Sequence, residues 1–597
     1  MTLSKSTFLI SITRRRQVAQ IENKPIYVIT EVALTPLSTQ VAAQQAIKHT
    51  KSTLQKADYH DEGLAYHGES DESDDEESIR SVASDLEDEV VHPEAVTPGL
   101  HKRTSSIAED VISKKGGYGR FAQNWFSKNG WNSGQKRNLG MTATDGTDDR
   151  PSSSVKNATT RTIDTDALLK AKENIGDKAE DVVENLLPKL LRTTQMLFGT
   201  SQSYFFSYDY DLTRSFANRR RTNLDLPLHT QVDPLYFWNR NLQKPLIEVG
   251  HHGFILPLMQ GFVGQREFEV DFNPPQSTLR HETSSMELAD FASARVEDQS
   301  HEKGISHNTK SSFSITLISR RSVKRAGLRY LRRGVDDEGN VANSVETEQI
   351  LSDNSWTASK KIHSFVQIRG SIPIFFSQTP YSFKPVPQIQ HSAETNHAAL
   401  TQHFRHLNSK YGNVQVVSLV EKHGNEAIVG NAYQHHVQRL NDSRIVSDPE
   451  VGFEWFDFHN ICRGMKFENV SLLMNTLGSK LDEFGHSVEV DGKPVSKQGG
   501  VLRVNCMDCL DRTNVVQSAC GRRALEEQLK EEGFDLSVQV DQATNWFNTL
   551  WADNGDAISK QYASTAALKG DFTRTRKRDY RGALTDMGLS ITRFYSG

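Results

Sequence analysis

A mixed α/β fold, broken by an acidic insertion, is what this sequence predicts. Three observations carry that expectation. Two β-branched runs open the chain, strand and helix patterns alternate through its second half, and the composition changes sharply between about residues 60 and 165.

The elements follow in order. TFLISIT and PIYVITEVAL, within residues 7–36, are β-branched and bounded by charge or proline, so they read as strands. From about His60 the text becomes GESDESDDEESIRSVASDLEDE and then Ser/Thr/Gly-rich. Eleven acidic residues against Arg80 give residues 69–89 a net charge of −10, which leaves +5 for the rest of a chain whose total is −5. Few apolar groups there offset chain entropy, so residues 60–165 are expected to be a disordered insertion. An aromatic island inside it, GGYGRFAQNWFSKNGW, reads as a hydrophobic interruption of a linker. Leu186, Leu187, Leu190 and Leu191 continue a near-helical pattern that begins at Leu168. GFILPLMQGFVG, SFSITLISRRS and SFVQIRGSIPIFFSQ read as buried strands, separated by a polar surface loop over residues 281–304.

Composition excludes several classes. Four cysteines in 597 residues make no disulfide framework, and a reducing compartment is expected. No apolar run approaches the roughly 18 residues of a spanning helix, and the N-terminus lacks the charge order of a secretory signal. A cytoplasmic protein, peripheral on membranes, is the expectation.

The most informative stretch is GGVLRVNCMDCLDRTNVVQSACGRRALEEQL. Val501, Leu502 and Val504 form a short strand, and Thr513 to Leu529 a helix. Between them lies Cys506, then five residues, then Arg512. A strand–loop–helix of this kind lets backbone amides converge on one anion while the helix N-terminus adds positive potential. That potential also favours a thiolate, the attacking form of cysteine. Arg512 can grip two phosphoryl oxygens, and Thr513 can donate to the sulfur as it leaves. Met507, Cys509, Leu510 and Asp511 complete the substrate-binding loop. Of the two acids, Asp508 is the expected general acid and Asp511 the structural one, because two carboxylates beside a phosphate repel it unless one turns away or holds a proton.

A bare Cys-x5-Arg is a weak signal, but RVNCMDCLDRTNVVQ closely resembles the signature of the Sac-domain phosphoinositide phosphatases. YDYDLTRSF, FWNRNL, FILPLMQGFV, RAGLRYLRRGVDDEGNVANSVETEQI, FVQIRGSIPIFFSQ, FDFHNICRGMKFENV and NGDAISKQYASTAALKGDFTR resemble that family in the same order. The resemblance implies a β-rich N-terminal lobe (residues 1–59 and 166–255) and an α/β catalytic lobe (256–597). It implies Cys506 as nucleophile, Arg512 as phosphate binder, a phosphoinositide in a membrane surface as substrate, and neither cofactor nor metal in the chemistry. The C-terminal motif looks closest to the endosomal branch, which implies phosphatidylinositol 4-phosphate and an endomembrane location.

Other readings of the same residues compete. A lipid-binding scaffold and a protein tyrosine phosphatase share the loop logic. His459 and Cys462 with Cys506 and Cys509 have spacing that zinc could use, although Cys462 and His459 read more simply as core residues. Arg320, Arg321, Lys324, Arg325, Arg329, Arg332 and Arg333 form a basic cluster, either a solvated face or a surface for anionic lipid. Arg329, Arg333, Lys466 and Lys569 are the head-group candidates. Nucleic acid is not an expected partner, since the chain as a whole is near neutral. A protein partner or a kinase acting on the acidic insertion is a further expectation.

Overall fold

The computed structural model describes residues 1–3, 6–64, 186–219, 226–271, 310–329, 331–357, 359–379, 386–443, 449–536, 545–568 and the single positions 574, 586 and 589. Of the expected disordered insertion, residues 60–64 instead end a helix, and residues 65–165 lie outside the described residues. Residues 1–58 with 179–597 form one compact unit. Its fold is mixed α/β, as the patterning predicts.

A single sheet organises that unit. Its antiparallel half runs through β1 (Thr2–Leu3), β2 (Ser6–Ile21), β3 (Lys24–Pro36), β4 (Tyr204–Phe206), β5 (Met259–Asp271), β6 (Lys310–Arg321), β7 (Val345–Asp353) and β8 (Ile362–Arg369), each beside the next. Two small strands, β9 (Phe376–Ser377) and β10 (Gln388–Ile389), pair separately. Beyond β8 the sheet continues parallel, through β11 (Asn413–Ser418) and β12 (Gly452–Trp455). A hairpin of β13 (Ser487–Val490) and β14 (Lys493–Ser496) flanks it, and β15 (Gly500–Asn505) sits between β8 and β11. The far edge of β8 is shared: Ile362–Ser364 pair with β13, and Gln367–Arg369 pair with β15. The strand expected within residues 253–264 starts only at Met259, because Pro257 supplies no amide for a ladder.

Helices α1 (Gln40–Leu64), α2 (186–198) and α3 (Arg240–Glu248) belong to the N-terminal half. In the parallel half, α4 (Ala393–Tyr411), α5 (Ala427–Asp442), α6 (Val470–Phe484) and α7 (Asp511–Glu531) cover the sheet, and α8 (Asn545–Ala563) follows on the antiparallel half. Strand alternation decides which face each residue serves. Leu502 and Val504 of β15 pack with Leu473, Leu477 and Leu481 of α6 and Val515, Val516 and Cys520 of α7. Val501, with Val414 and Val416 of β11, packs instead on Leu400 and Phe404 of α4 and Val429, Tyr433 and Val437 of α5. Strands buried on both faces read as continuous apolar runs, which is why this half was legible. Phe547, Leu550 and Trp551 of α8 close the antiparallel half against Phe268, Phe313 and Ile315.

Two expectations fail here. Arg320 and Arg321 are core residues, not surface ones. Arg320 is fully buried, pairs with Glu346 at 3.1 Å and Glu348 at 2.6 Å, and donates to the carbonyls of Leu212 and Arg214. Arg321 donates to the carbonyls of Gln561 and Gly327. A run of charge cannot announce burial when its partners lie a strand away. His459, expected to be a core histidine, instead exposes its side chain near Glu421.

Candidate active site

The carboxyl ends of the parallel strands β8, β15 and β11 lie side by side, where ligands bind in open α/β sheets. The chain order makes this a switch point. β11 and β12 grow the sheet outward, and β15 then returns to the gap between β8 and β11. Cys506 follows β15 directly and Asp511 begins α7, so the five residues between Cys506 and Arg512 turn the chain from strand to helix.

The loop's hydrogen bonds are one-sided. Every carbonyl from Met507 to Leu510 has a donor. Cys506 O lies 3.3 Å from the Cys509 sulfur, and Met507 O accepts from Arg333 Nη1 at 3.0 Å. The carbonyls of Asp508 and Cys509 face Asn343 Nδ2 at 3.4 and 3.3 Å, and Leu510 O accepts from the Asn514 amide at 2.8 Å. Among the described residues, none accepts from the amides of Met507, Asp508, Cys509 or Leu510. Backbone amides without acceptors are rare in folded proteins, and four in succession at a helix N-terminus suit an anion. The turn requires a positive φ of 54° at Cys509, a strained value for a non-glycine residue. The Cys509 thiol offsets that strain by donating to Gly370 O at 2.8 Å. Burial pushes this thiol up to about 12, and the Cys506 sulfur adds to the effect, so Cys509 stays a neutral donor.

Cys506 itself is 3% exposed, at the edge of the apolar layer beneath α6 and α7. Arg512 stands in the first turn of α7 and meets Glu426 bidentately, Nη1 to Oε2 at 2.8 Å and Nη2 to Oε1 at 2.7 Å. Its Nη1 also donates to Leu419 O at 3.1 Å. Both Nη1 protons are thereby used, and the Nε–H and the second Nη2–H remain. These two lie along one edge of the guanidinium and can serve two oxygens of one anion. Burial works against the Arg512 charge, but the Glu426 pair outweighs it and raises the group further. In Glu426 burial pushes upward, and Arg512 overrides it and holds the carboxyl below the usual range.

Asp508 is held by two cations, Arg333 Nη1 at 2.5 Å and Arg329 Nη1 at 3.1 Å. Burial pushes its carboxyl up, yet Arg333 first and Arg329 second bring it far below the ordinary aspartate range. Asp508 is therefore an anion here, the form that accepts a proton. Asp511 turns away from the loop and accepts from the Leu568 amide at 2.5 Å. Thr513 is fully buried in the first turn of α7, and among the described residues its hydroxyl has no hydrogen-bond partner.

Arg329 and Arg333, expected at a membrane surface, thus lie against the loop, while Lys466 is exposed on a turn after Cys462 and Lys569 lies outside the described residues. The zinc set does not assemble among the described residues: Cys462 is buried in the core, His459 is exposed, and Cys509 faces Gly370.

Sequence reasoning missed several contributors. Glu426 and Asn343 carry no local signature. Arg369, at the end of β8, is fully buried and, among the described residues, donates only to Asn514 Oδ1 at 3.3 Å, with Nε and Nη1 left without partners. Burial pushes it down to about 10, while the thiols of Cys509 and Cys506 pull the other way. Below the loop, buried Arg503 donates to His403 Nε2, Asn505 Oδ1 and Ser371 O, a rigid polar floor. Burial and Arg503 hold His403 well below its ordinary range, so it accepts as a neutral ring.

A cysteine-bearing loop between a central parallel strand and a helix, ending at an oriented arginine, defines a Cys-x5-Arg loop at the switch point of an open α/β sheet. The chain belongs to the SacI homology domain family, whose profile matches residues 1–463, a span that ends before the loop. It is 39% identical over 421 residues to human phosphatidylinositide phosphatase SAC2, covering 69% of this chain and 35% of that protein. It is 36% identical over 409 residues to zebrafish phosphatidylinositol-3-phosphatase SAC1-A, covering 66% of this chain and 61% of the relative. Phosphoinositide phosphatase SAC8 of Arabidopsis thaliana is 34% identical over 414 residues, 68% of this chain and 61% of that one. The chain thus spans about a third of the SAC2 proteins and about three-fifths of the others.

Proposed function

We propose that this protein removes a phosphate monoester from a membrane phosphoinositide through a cysteinyl-phosphate intermediate, with phosphatidylinositol 4-phosphate as the leading substrate. The observation that carries the proposal is the one-sided loop. Its carbonyls are taken, its amides are left, and Arg512 keeps two donors on one edge. The family names supply the substrate class.

In this mechanism the phosphate sits on the loop amides and the free edge of Arg512, in line with the Cys506 sulfur. The thiolate forms the S–P bond as the inositol oxygen leaves with its electron pair. The amides and Arg512 stabilise the charge on the equatorial oxygens. Water then attacks phosphorus and releases the sulfur, toward which the unpartnered Thr513 hydroxyl donates. Asp508 remains our choice for leaving-group acid, acting only in the complex. A bound phosphate brings negative charge beside it and competes for Arg329 and Arg333, which raises its proton affinity. The missing partner for Thr513 and the arginine-lined approach also favour a phosphatase over a lipid-binding scaffold.

Phosphate release from a panel of phosphatidylinositol phosphates in vesicles, run beside Cys506→Ser, tests the reading. Release from a monophosphorylated phosphoinositide by the wild type alone is expected. Equal release by both proteins overturns the nucleophile, and release only from phosphotyrosine peptides overturns the lipid.

A further inference from the structure

At the opposite end of α7 from the loop, four side chains from three elements converge. His363 is the second residue of β8, His486 immediately precedes β13, Glu531 is the last residue of α7 and Glu532 follows it. A 21-residue helix is about 30 Å long, so this cluster is remote from Cys506. Nothing in the phosphatase chemistry uses it.

The geometry of the cluster is that of a ligand set. His363 Nδ1 and His486 Nε2 are 3.0 Å apart. Glu531 Oε1 lies 3.4 Å from His486 Nε2, and Glu531 Oε2 lies 3.9 Å from His363 Nδ1. A tetrahedral zinc ion with bonds of about 2.0–2.1 Å spaces its ligand atoms about 3.3 Å apart. The His363–His486 edge and the His486–Glu531 Oε1 edge bracket that spacing; the 3.9 Å distance runs to the other Glu531 oxygen, and one atom from each of the three residues lies within 4.8 Å of the others. The second ring nitrogen of His363, Nε2, faces Glu532 Oε1 at 3.0 Å. Zinc-bound histidines have this outer carboxylate, which fixes the tautomer and presents the other nitrogen as a lone pair. Lys361 Nζ in turn stands 3.7 Å from Glu532. His363 is 1% exposed and Glu531 47%, so the ligand face opens to water on one side and is rigid on the other.

The Glu532 carboxylate favours the tautomer of His363 with its proton on Nε2, which leaves Nδ1 to accept a shared proton from His486 Nε2. A cation replaces that shared proton, and His486 carries its own on Nδ1 instead, with no net proton lost. We propose that His363 Nδ1, His486 Nε2 and Glu531 bind one zinc ion, with Glu532 orienting His363 and water filling the fourth position. The mixed N/O donor set suits zinc better than calcium or magnesium, which take oxygen ligands. The ion fastens the end of α7 to β8 and the β13–β14 hairpin. This inference stands independently of the phosphatase reading.

The full-length chain, stripped with chelator and equilibrated at micromolar free zinc, is expected to retain one zinc per chain by elemental mass spectrometry. With cobalt it is expected to show weak visible d–d bands and no thiolate-to-metal charge transfer, which separates this site from the cysteines. His486→Ala and Glu531→Gln should each weaken retention at least tenfold and abolish any rise in melting temperature on adding zinc. Glu531 is half exposed, so Glu531→Gln keeps the test valid if the histidine variant misfolds. Failure of a cooperatively folded wild type to retain an equivalent overturns the site. Undiminished retention in folded Glu531→Gln, or cobalt spectra dominated by thiolate, does so as well.

Discussion

Glu426 is the residue whose role the three-dimensional arrangement most changes. It stands at the N-terminal boundary of α5, 86 positions before Arg512, without capping the helix through its side chain, and fixes which edge of that guanidinium is left for substrate. Glu426→Gln keeps the shape but removes the charge, so kcat/KM should fall about ten- to hundredfold, and Glu426→Asp should recover part of the loss. Asp508 has a measurable signature of another kind. Its folded-state value lies below that of an unfolded aspartate, so the stabilisation it confers is complete above about pH 4 and is lost as pH falls through the folded value. Urea unfolding between about pH 5 and pH 2 should show a flatter loss of stability in Asp508→Asn than in the wild type. A parallel pH dependence in the two proteins would remove the clamp from the account.

Among the elements, α7 does two jobs, presenting the loop at one end and packing through its middle on α8. Gly521 is a point of close approach. A Cβ there would lie 2.6 Å from Trp551 Cζ2 and 3.0 Å from Gln349 Oε1. Glycine within a helix costs about 1 kcal/mol relative to alanine, so propensity alone favours Gly521→Ala. Overpacking against Trp551, which is fully buried, costs about 1–3 kcal/mol and wins. The expected result is a lower melting temperature, by a few degrees, with the helix content unchanged. The connection between β6 and β7 is the other decisive element. It contains no strand of the main sheet, yet it carries Arg329, Arg333 and Asn343 onto the loop. It is anchored in turn by α8, where Tyr562 O accepts from the Arg329 amide and the Tyr562 hydroxyl donates to Arg332 O.

For the molecule as a whole, one sheet joins the N-terminal strands to the parallel half, so the unit should unfold as one. Ending the chain after Leu536 removes Phe547, Leu550 and Trp551, each at most 1% exposed. Burying such side chains contributes roughly 2–3 kcal/mol apiece, against a net stability of about 5–15 kcal/mol. The shortened protein should lose its cooperative melt and bind a hydrophobic dye. Retention of a sharp transition would show that α8 is dispensable. Among the described residues no helix is long and apolar enough to cross a membrane.

What the sequence determined by itself is local. The strand ending at Asn505, the helix running to Glu531 and the turn between them follow from periodicity and from amides and charges a few residues apart, so Cys506 and Arg512 were legible. The tertiary structure alone decided the partners. Whether a basic run lies in the core, as Arg320 does, or clamps an acid, as Arg329 and Arg333 do, depends on groups brought together from distant strands. A linear pattern records the cost of burying a charge but not the carboxylate that offsets it.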